Sequence, residues 1–148
     1  MNKRYTTQWI GQFAVASELT RRNYLVSLTL GNAPIRDLLC QSSNGENFTI
    51  QVKSLRSKGY FPFQDSLINN KFSDLYLFFV YIPQDLSQSL EYFILSYDRF
   101  LKIWKEEQKE WAEKEKLRAK PYKKWSEGIS YKTLLKSGAK NDWSVLPR

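Results

Sequence analysis

The run Leu75-Tyr76-Leu77-Phe78-Phe79-Val80-Tyr81-Ile82 is almost unbroken in apolar side chains. A strand with one wet face alternates apolar and polar residues, so a run without alternation predicts a strand covered on both faces, at the centre of its sheet. The run is the longest apolar stretch in the chain and far short of the ~20 residues that cross a bilayer, so no membrane span is expected. Two helices are predicted to flank the sheet. Residues 8–22 carry Trp9, Ile10, Phe13, Ala14, Ala16 and Leu19 at apolar helical positions, with Thr7 as N-cap and Asn23 for the left-handed C-terminal position. Residues 99–119 follow Asp98 as a second N-cap, place Leu101, Trp104, Gln108 and Trp111 on one stripe, and stop at Pro121. Residues 24–30 read as a first strand closed by Gly31-Asn32-Ala33-Pro34, and residues 91–96 as a fifth. The expected fold is α/β, a mixed central sheet of about five strands flanked by the first and the long C-terminal helix.

At 148 residues the chain suits one domain, residues 1–148, with no repeat or linker to divide it. No apolar stretch follows Lys3 and Arg4, and the only cysteine is Cys40, so neither a secretory signal nor a disulfide is expected and the cytoplasm is the predicted compartment. The chain has no histidine. That removes zinc sites built on nitrogen and sulfur, the Ser-His-Asp triad and histidine-based nuclease centres. Chemistry here must use carboxylates, amides, lysines and hydroxyls, oxygen-rich sets that suit Mg2+ or Mn2+. A net charge of +8 points to a polyanion, most simply nucleic acid. The charge is concentrated in Lys116, Arg118, Lys120, Lys123 and Lys124, a stretch without an acid. Trp104, Trp111, Tyr122 and Trp125 lie in or near it and are expected in the core, because the first two are a helix stripe apart; Tyr60, Phe61 and Phe63 are divided evenly between core and base contact.

Two further strands carry the candidate chemistry. Asp37 opens Asp37-Leu38-Leu39-Cys40-Gln41, and after the turn Ser43-Asn44-Gly45-Glu46-Asn47 comes Phe48-Thr49-Ile50-Gln51-Val52-Lys53. Alternation sends Phe48, Ile50 and Val52 into a core and leaves Gln51 and Lys53, about 7 Å apart, on the other face. An acid-or-Gln-x-Lys tripeptide occurs by chance on the order of once in a chain of this length. A second one, Glu107-Gln108-Lys109, is indeed present, but on a helix, where residues two apart do not share a face. Asp37 joins Gln51 on one face only if the turn holds an odd number of residues or the ladder a bulge; Ser43-Asn44-Gly45 with a left-handed Gly45 would serve.

In this order, a helix bearing Glu18, a strand, Gly31-Asn32, Asp37-Leu38-Leu39 and Ile50-Gln51-Val52-Lys53, the chain resembles the PD-(D/E)XK nuclease superfamily, in particular small bacterial members with an Ile-Gln-Val-Lys variant of the motif. The resemblance covers residues 11–53 well and the later strands loosely. It implies a divalent-metal-dependent deoxyribonuclease in which Asp37 bridges the metal, Gln51 and the Val52 carbonyl complete its protein ligands, Lys53 positions and helps deprotonate the attacking water, and Glu18 holds the metal's water shell or a second ion. DNA as substrate follows from the resemblance alone. Arg36 stands where the motif name has proline, and Gln51 stands where glutamate is more frequent, which removes one negative charge from the metal site. The rival reading is a catalytically weak or inactive nucleic-acid-binding module on the same fold, a subunit of a defence or mobile-element system. A homodimer would bring two such sites to the two strands of a duplex.

Overall fold

The computed structural model describes residues 2–30 and 34–148; Gly31, Asn32 and Ala33, part of the expected first turn and of the Gly-Asn pattern, lie outside the described residues. The elements run α1 (Lys3–Arg21), β1 (Leu25–Leu28), β2 (Leu38–Gln41), β3 (Asn47–Leu55), β4 (Tyr60–Phe63), α2 (Ser66–Asn69), β5 (Leu75–Tyr81), β6 (Glu91–Ser96), α3 (Tyr97–Lys116), β7 (Glu127–Ser130) and α4 (Tyr131–Lys136), with a 3-10 turn at Trp143–Val145. The fold is α/β, a five-stranded mixed sheet ordered β1-β2-β3-β5-β6 in which only the β3-β5 pair is parallel. The apolar run is interior, as its pattern requires, although the middle position belongs to β3.

Alternation along β5 divides the molecule into two cores. Leu75, Leu77 and Phe79 face α3, β4, β7 and α4, whereas Phe78 and Val80 face the α1 side with Val15, Leu19, Ile50 and Ile94. Leu77, Phe78, Phe79 and Val80 are all fully buried. At about 1.5–3 kcal/mol for each such side chain, this strand anchors both layers. No described helix is long and apolar enough to cross a membrane.

The first helix starts earlier than expected, at Lys3, because the Asn2 side chain caps it by accepting from the Arg4 N–H; Thr7, the expected cap, lies inside and bonds the Lys3 carbonyl. Asn23 takes the left-handed position at φ 64°. The helix is also turned relative to the expected stripe: its buried residues are Gly11, Gln12, Val15 and Leu19, while Trp9 and Phe13 stack on each other at the surface. Gly11 is the cause. A Cβ there would sit 1.8 Å from Ser54 Oγ and 3.3 Å from Val52 Cγ1, so only glycine lets α1 approach β3 on that face.

α3 is capped by Ser96, whose hydroxyl accepts from Arg99 N, rather than by Asp98, which lies in the first turn where the helix dipole favours an acid. Its buried side is Tyr97, Phe100 and Glu107. After α3 the chain returns through β7, which pairs with β4 in a separate two-stranded sheet, and then lays residues 139–141 along β6 through Ile94 N–Ala139 O and Asn141 N–Tyr92 O bonds.

Candidate functional site

Register decides whether the hairpin can form a site. Leu38 pairs with Ile50 and Gln41 with Asn47, and Ser42 N donates to the Glu46 carbonyl, so the connection is the three residues 43–45, with Gly45 at φ 85°. Carried one residue further, this register would set Asp37 across from Gln51, but the ladder itself stops at the Leu38–Ile50 pair. At that end β2 leaves the sheet: Asp37 N still donates to the Ile50 carbonyl at 2.8 Å, but the next inward-pointing N–H of β3, that of Val52, has no strand beside it. The Asp37 side chain takes its place, Oδ2 accepting from Val52 N at 2.7 Å. Peptide groups two apart in a strand point the same way, so the Val52 carbonyl faces this notch as well.

α1 supplies the other side of the notch. Gln12, brought in by the close approach at Gly11, donates from Nε2 to Asp37 Oδ1 at 3.1 Å. Glu18, the acid expected from this helix, is elsewhere: it pairs with Arg21 and Arg22 and accepts from both, with its carboxyl held below the ordinary range chiefly by the Arg22 hydrogen bond. Gln12 and Glu18 are six positions apart, about 120° around the helix, so they leave it in different directions. A polar residue next to a glycine within an apolar helix was the available signal for Gln12.

Burial dominates the electrostatics. The Asp37 carboxyl is pushed above its ordinary pKa by desolvation, which outweighs the Val52 N–H bond and the attraction of Lys53. Lys53 is pushed below its ordinary value by desolvation, opposed by Asp37 and reinforced by nearby Arg4. Gln51 is buried, and its Oε1 has no hydrogen-bond partner. An amide oxygen left bare in this way costs about 1–3 kcal/mol, and it points from the same strand face as Lys53. Ile35, two residues before Asp37, is held at φ 72°, a conformation that costs a β-branched residue roughly 1–3 kcal/mol. Charged groups in low dielectric, an unpartnered acceptor and local strain thus converge within a few residues.

The donor set fits a hard divalent ion in chemistry, with a carboxylate, a bare amide oxygen and a strand carbonyl. It is sparse in charge: among the described residues no three of His, Cys, Asp and Glu are gathered, and Asp37 stands as the acid of the notch. Cys40 is buried in the α1-side core, its thiol pushed up to about 12, and takes no part.

The expected phosphate-binding residues form a different surface. Lys116 pairs with Glu113 and Lys124 with Glu127, while Arg118, Lys120 and Lys123 have no acid partner among the described residues. Trp104 packs against the core as its stripe predicts, and of the evenly divided trio Phe61 and Phe63 are core, but Trp125 is 83% exposed and Tyr60 and Trp111 are each 37% exposed. Compared with protein-family models, curated proteins and solved structures, the chain gives no match.

Proposed function

We propose that the chain is a divalent-metal-dependent deoxyribonuclease that hydrolyses phosphodiester bonds by attack of an activated water. The observation that carries the reading is the Asp37 carboxylate fixed by Gln12 and by the Val52 N–H of the strand on which Gln51 Oε1 is buried and bare. Asp37, Gln51 Oε1 and the Val52 carbonyl would hold Mg2+ or Mn2+, which supplies a Lewis acid for the phosphate and a more acidic bound water. Asp37 is oriented by two donors, so that its lone pairs are aimed before any ion arrives. Lys53, half-buried and shifted toward its neutral form, is suited to hold the attacking water and to neutralise charge developing on the phosphate. Glu18 drops out of this reading because its carboxylate is committed to two arginines, and Gln12 takes the helix position as the residue that orients Asp37. Choice of DNA over RNA follows from the resemblance to the PD-(D/E)XK superfamily, and a homodimer would address both strands.

One feature favours the second reading, a binding module with little or no catalysis: a single carboxylate holds an ion weakly. Plasmid cleavage with Mg2+, Mn2+ or EDTA separates the two. The expected result is metal-dependent nicking by the wild type and a loss of at least about 1000-fold in Asp37→Ala, with duplex affinity changed by less than about threefold because affinity comes from phosphate contacts elsewhere. Affinity lost in parallel with cleavage would make Asp37 a structural residue, and no nicking under any ion would leave the binding module.

A further inference from the structure

The segment after α3 folds back over the helix and leaves a cleft of about 500 Å³ lined by Tyr60, Gln108, Trp111, Tyr122, Lys123 and Trp125. That volume is within the range of sites for molecules of nucleotide size. Its aromatic walls are of two kinds. Trp111 and Tyr122 meet edge to face at 5.0 Å and make a stiff corner, whereas Trp125 is 83% exposed and its ring carries the Lys123 ammonium 4.1 Å from its centroid. Behind the wall, Gln108 Nε2 is buried without a hydrogen-bond partner among the described residues.

The charge around the rings selects among guests. Lys114 lies 5.3 Å from the Trp111 centroid, Arg118 4.1 Å from that of Tyr122 and Lys123 4.1 Å from that of Trp125. A cationic guest would compete with these side chains for the ring faces and meet their repulsion. A flat ring that is itself neutral and is linked to anions would instead stack on the open face of Trp125 and leave its phosphates to Lys123, since Glu115, the acid of the lining, accepts from the Tyr122 N–H. Bases inside a duplex have no free face, so the ring must come from an unpaired nucleotide.

We infer that this cleft is a stacking pocket for an unpaired nucleobase of a single-stranded or locally opened nucleic acid, a site separate from the Asp37 notch. The inference rests on the nucleic-acid reading above but not on catalysis. The test is fluorescence anisotropy, without divalent ions, of a labelled short thymidine strand and of a duplex of equal length, bound to the full chain and to Trp125→Ala and Trp125→Phe. Trp125 is exposed, so both variants are expected to unfold at the wild-type temperature. Stacking on one aromatic ring predicts a loss of roughly 5- to 100-fold in single-strand affinity for Trp125→Ala, most of it restored in Trp125→Phe, with duplex affinity within about twofold. Wild-type tryptophan emission should also be quenched by the strand, and the quenching lost in Trp125→Ala. Unchanged single-strand affinity, equal losses on both substrates, or quenching by tetramethylammonium in place of the strand would each overturn the pocket. A chain that cuts plasmid through Asp37 yet ignores Trp125→Ala loses this inference alone; one that cuts nothing but needs Trp125 for single strands keeps it and loses the nuclease.

Discussion

The two acid-x-Lys or Gln-x-Lys tripeptides of this chain end in opposite circumstances. Gln51 and Lys53 come from one face of β3, and Gln51 Oε1 is buried without a partner, whereas Glu107 on α3 is buried with every visible obligation met. Its carboxylate accepts from Ser130 N at 3.1 Å and from Thr133 Oγ1 at 2.8 Å, tying α3 to the β7–α4 corner. Burial of a polar group therefore does not mark function by itself. What distinguishes the notch is that its burial is only partly compensated: desolvation outweighs the two hydrogen bonds and the Lys53 attraction at Asp37, it also wins at Lys53, and the Gln51 amide oxygen stays bare. A satisfied network stabilises; an unsatisfied one waits for a ligand.

The comparison breaks most readily at Glu107. Replacing it by alanine strands the Ser130 N–H and removes a charge-assisted bond, which should cost about 2–4 kcal/mol. Thermal unfolding should fall by roughly 5–15 °C at the 2–4 °C per kcal/mol expected for a chain this long. Metal-dependent cleavage below the new transition should persist. A change under about 1 kcal/mol would mean that Glu107 is not the anchor its contacts describe.

Gln51→Glu sharpens the other side. A second carboxylate should raise Mn2+ affinity by about tenfold, read by calorimetric titration, while the metal-free protein loses stability because two buried carboxylates then repel. Added Mn2+ should restore the loss. Destabilisation that no divalent ion relieves would show that position 51 does not face a metal.

How far the sequence could be read follows the same division. Strand alternation along β3 and the odd turn were legible, because both are local: period two and a three-residue connection with a left-handed Gly45. The rotation of α1 was not, since the apolar count favoured Trp9 and Phe13 and only the close approach of Gly11 to Ser54 turned Gln12 inward. Glu107 was hidden for a related reason. A glutamate in a helix of mixed charge looks solvated until Ser130 and Thr133, more than twenty residues later, fold onto it. The β4–β7 pair joins two four-residue strands across α2, β5, β6 and α3, and no local pattern announces such a partnership. The spacing of its neighbours predicts Trp125 in the core, yet Trp125 lies beyond the helix whose stripe that spacing describes and is exposed.

A smaller effect follows from the Asp37 carboxyl. Its pKa is raised in the folded state, so the protonated form is favoured by folding: the stabilisation is full below the unfolded value of about 3.9, is lost as pH rises through the folded value, and stays lost at neutral pH. Asp37→Asn keeps an acceptor for Val52 N and needs only a turn of the Gln12 amide. It should raise the neutral-pH melting temperature by a few degrees while abolishing cleavage, and flatten the acid side of the stability profile. Lys53 adds the opposite slope, stability rising with pH between its lowered folded value and the unfolded one. A lower melting temperature for Asp37→Asn would place the carboxylate among the satisfied networks, beside Glu107.

The smallest expected effect concerns the basic surface, where pairing again decides. Counterion release gives a slope of log affinity against log salt of about −0.9 for each duplex phosphate neutralised. Lys116 and Lys124 already hold Glu113 and Glu127 at 2.9 and 2.7 Å, so part of their charge is spent within the protein. Arg118, Lys120 and Lys123 have no such acid among the described residues, and replacing these three by alanine should flatten the slope by up to about three units. Replacing Lys116 and Lys124 should change it by less than one, since the freed glutamates also alter the field. Cleavage at low salt should remain detectable in both variants, the Asp37 notch being untouched. Equal slopes for the triple variant and the wild type would move the duplex path off this surface and leave it to the aromatic cleft alone.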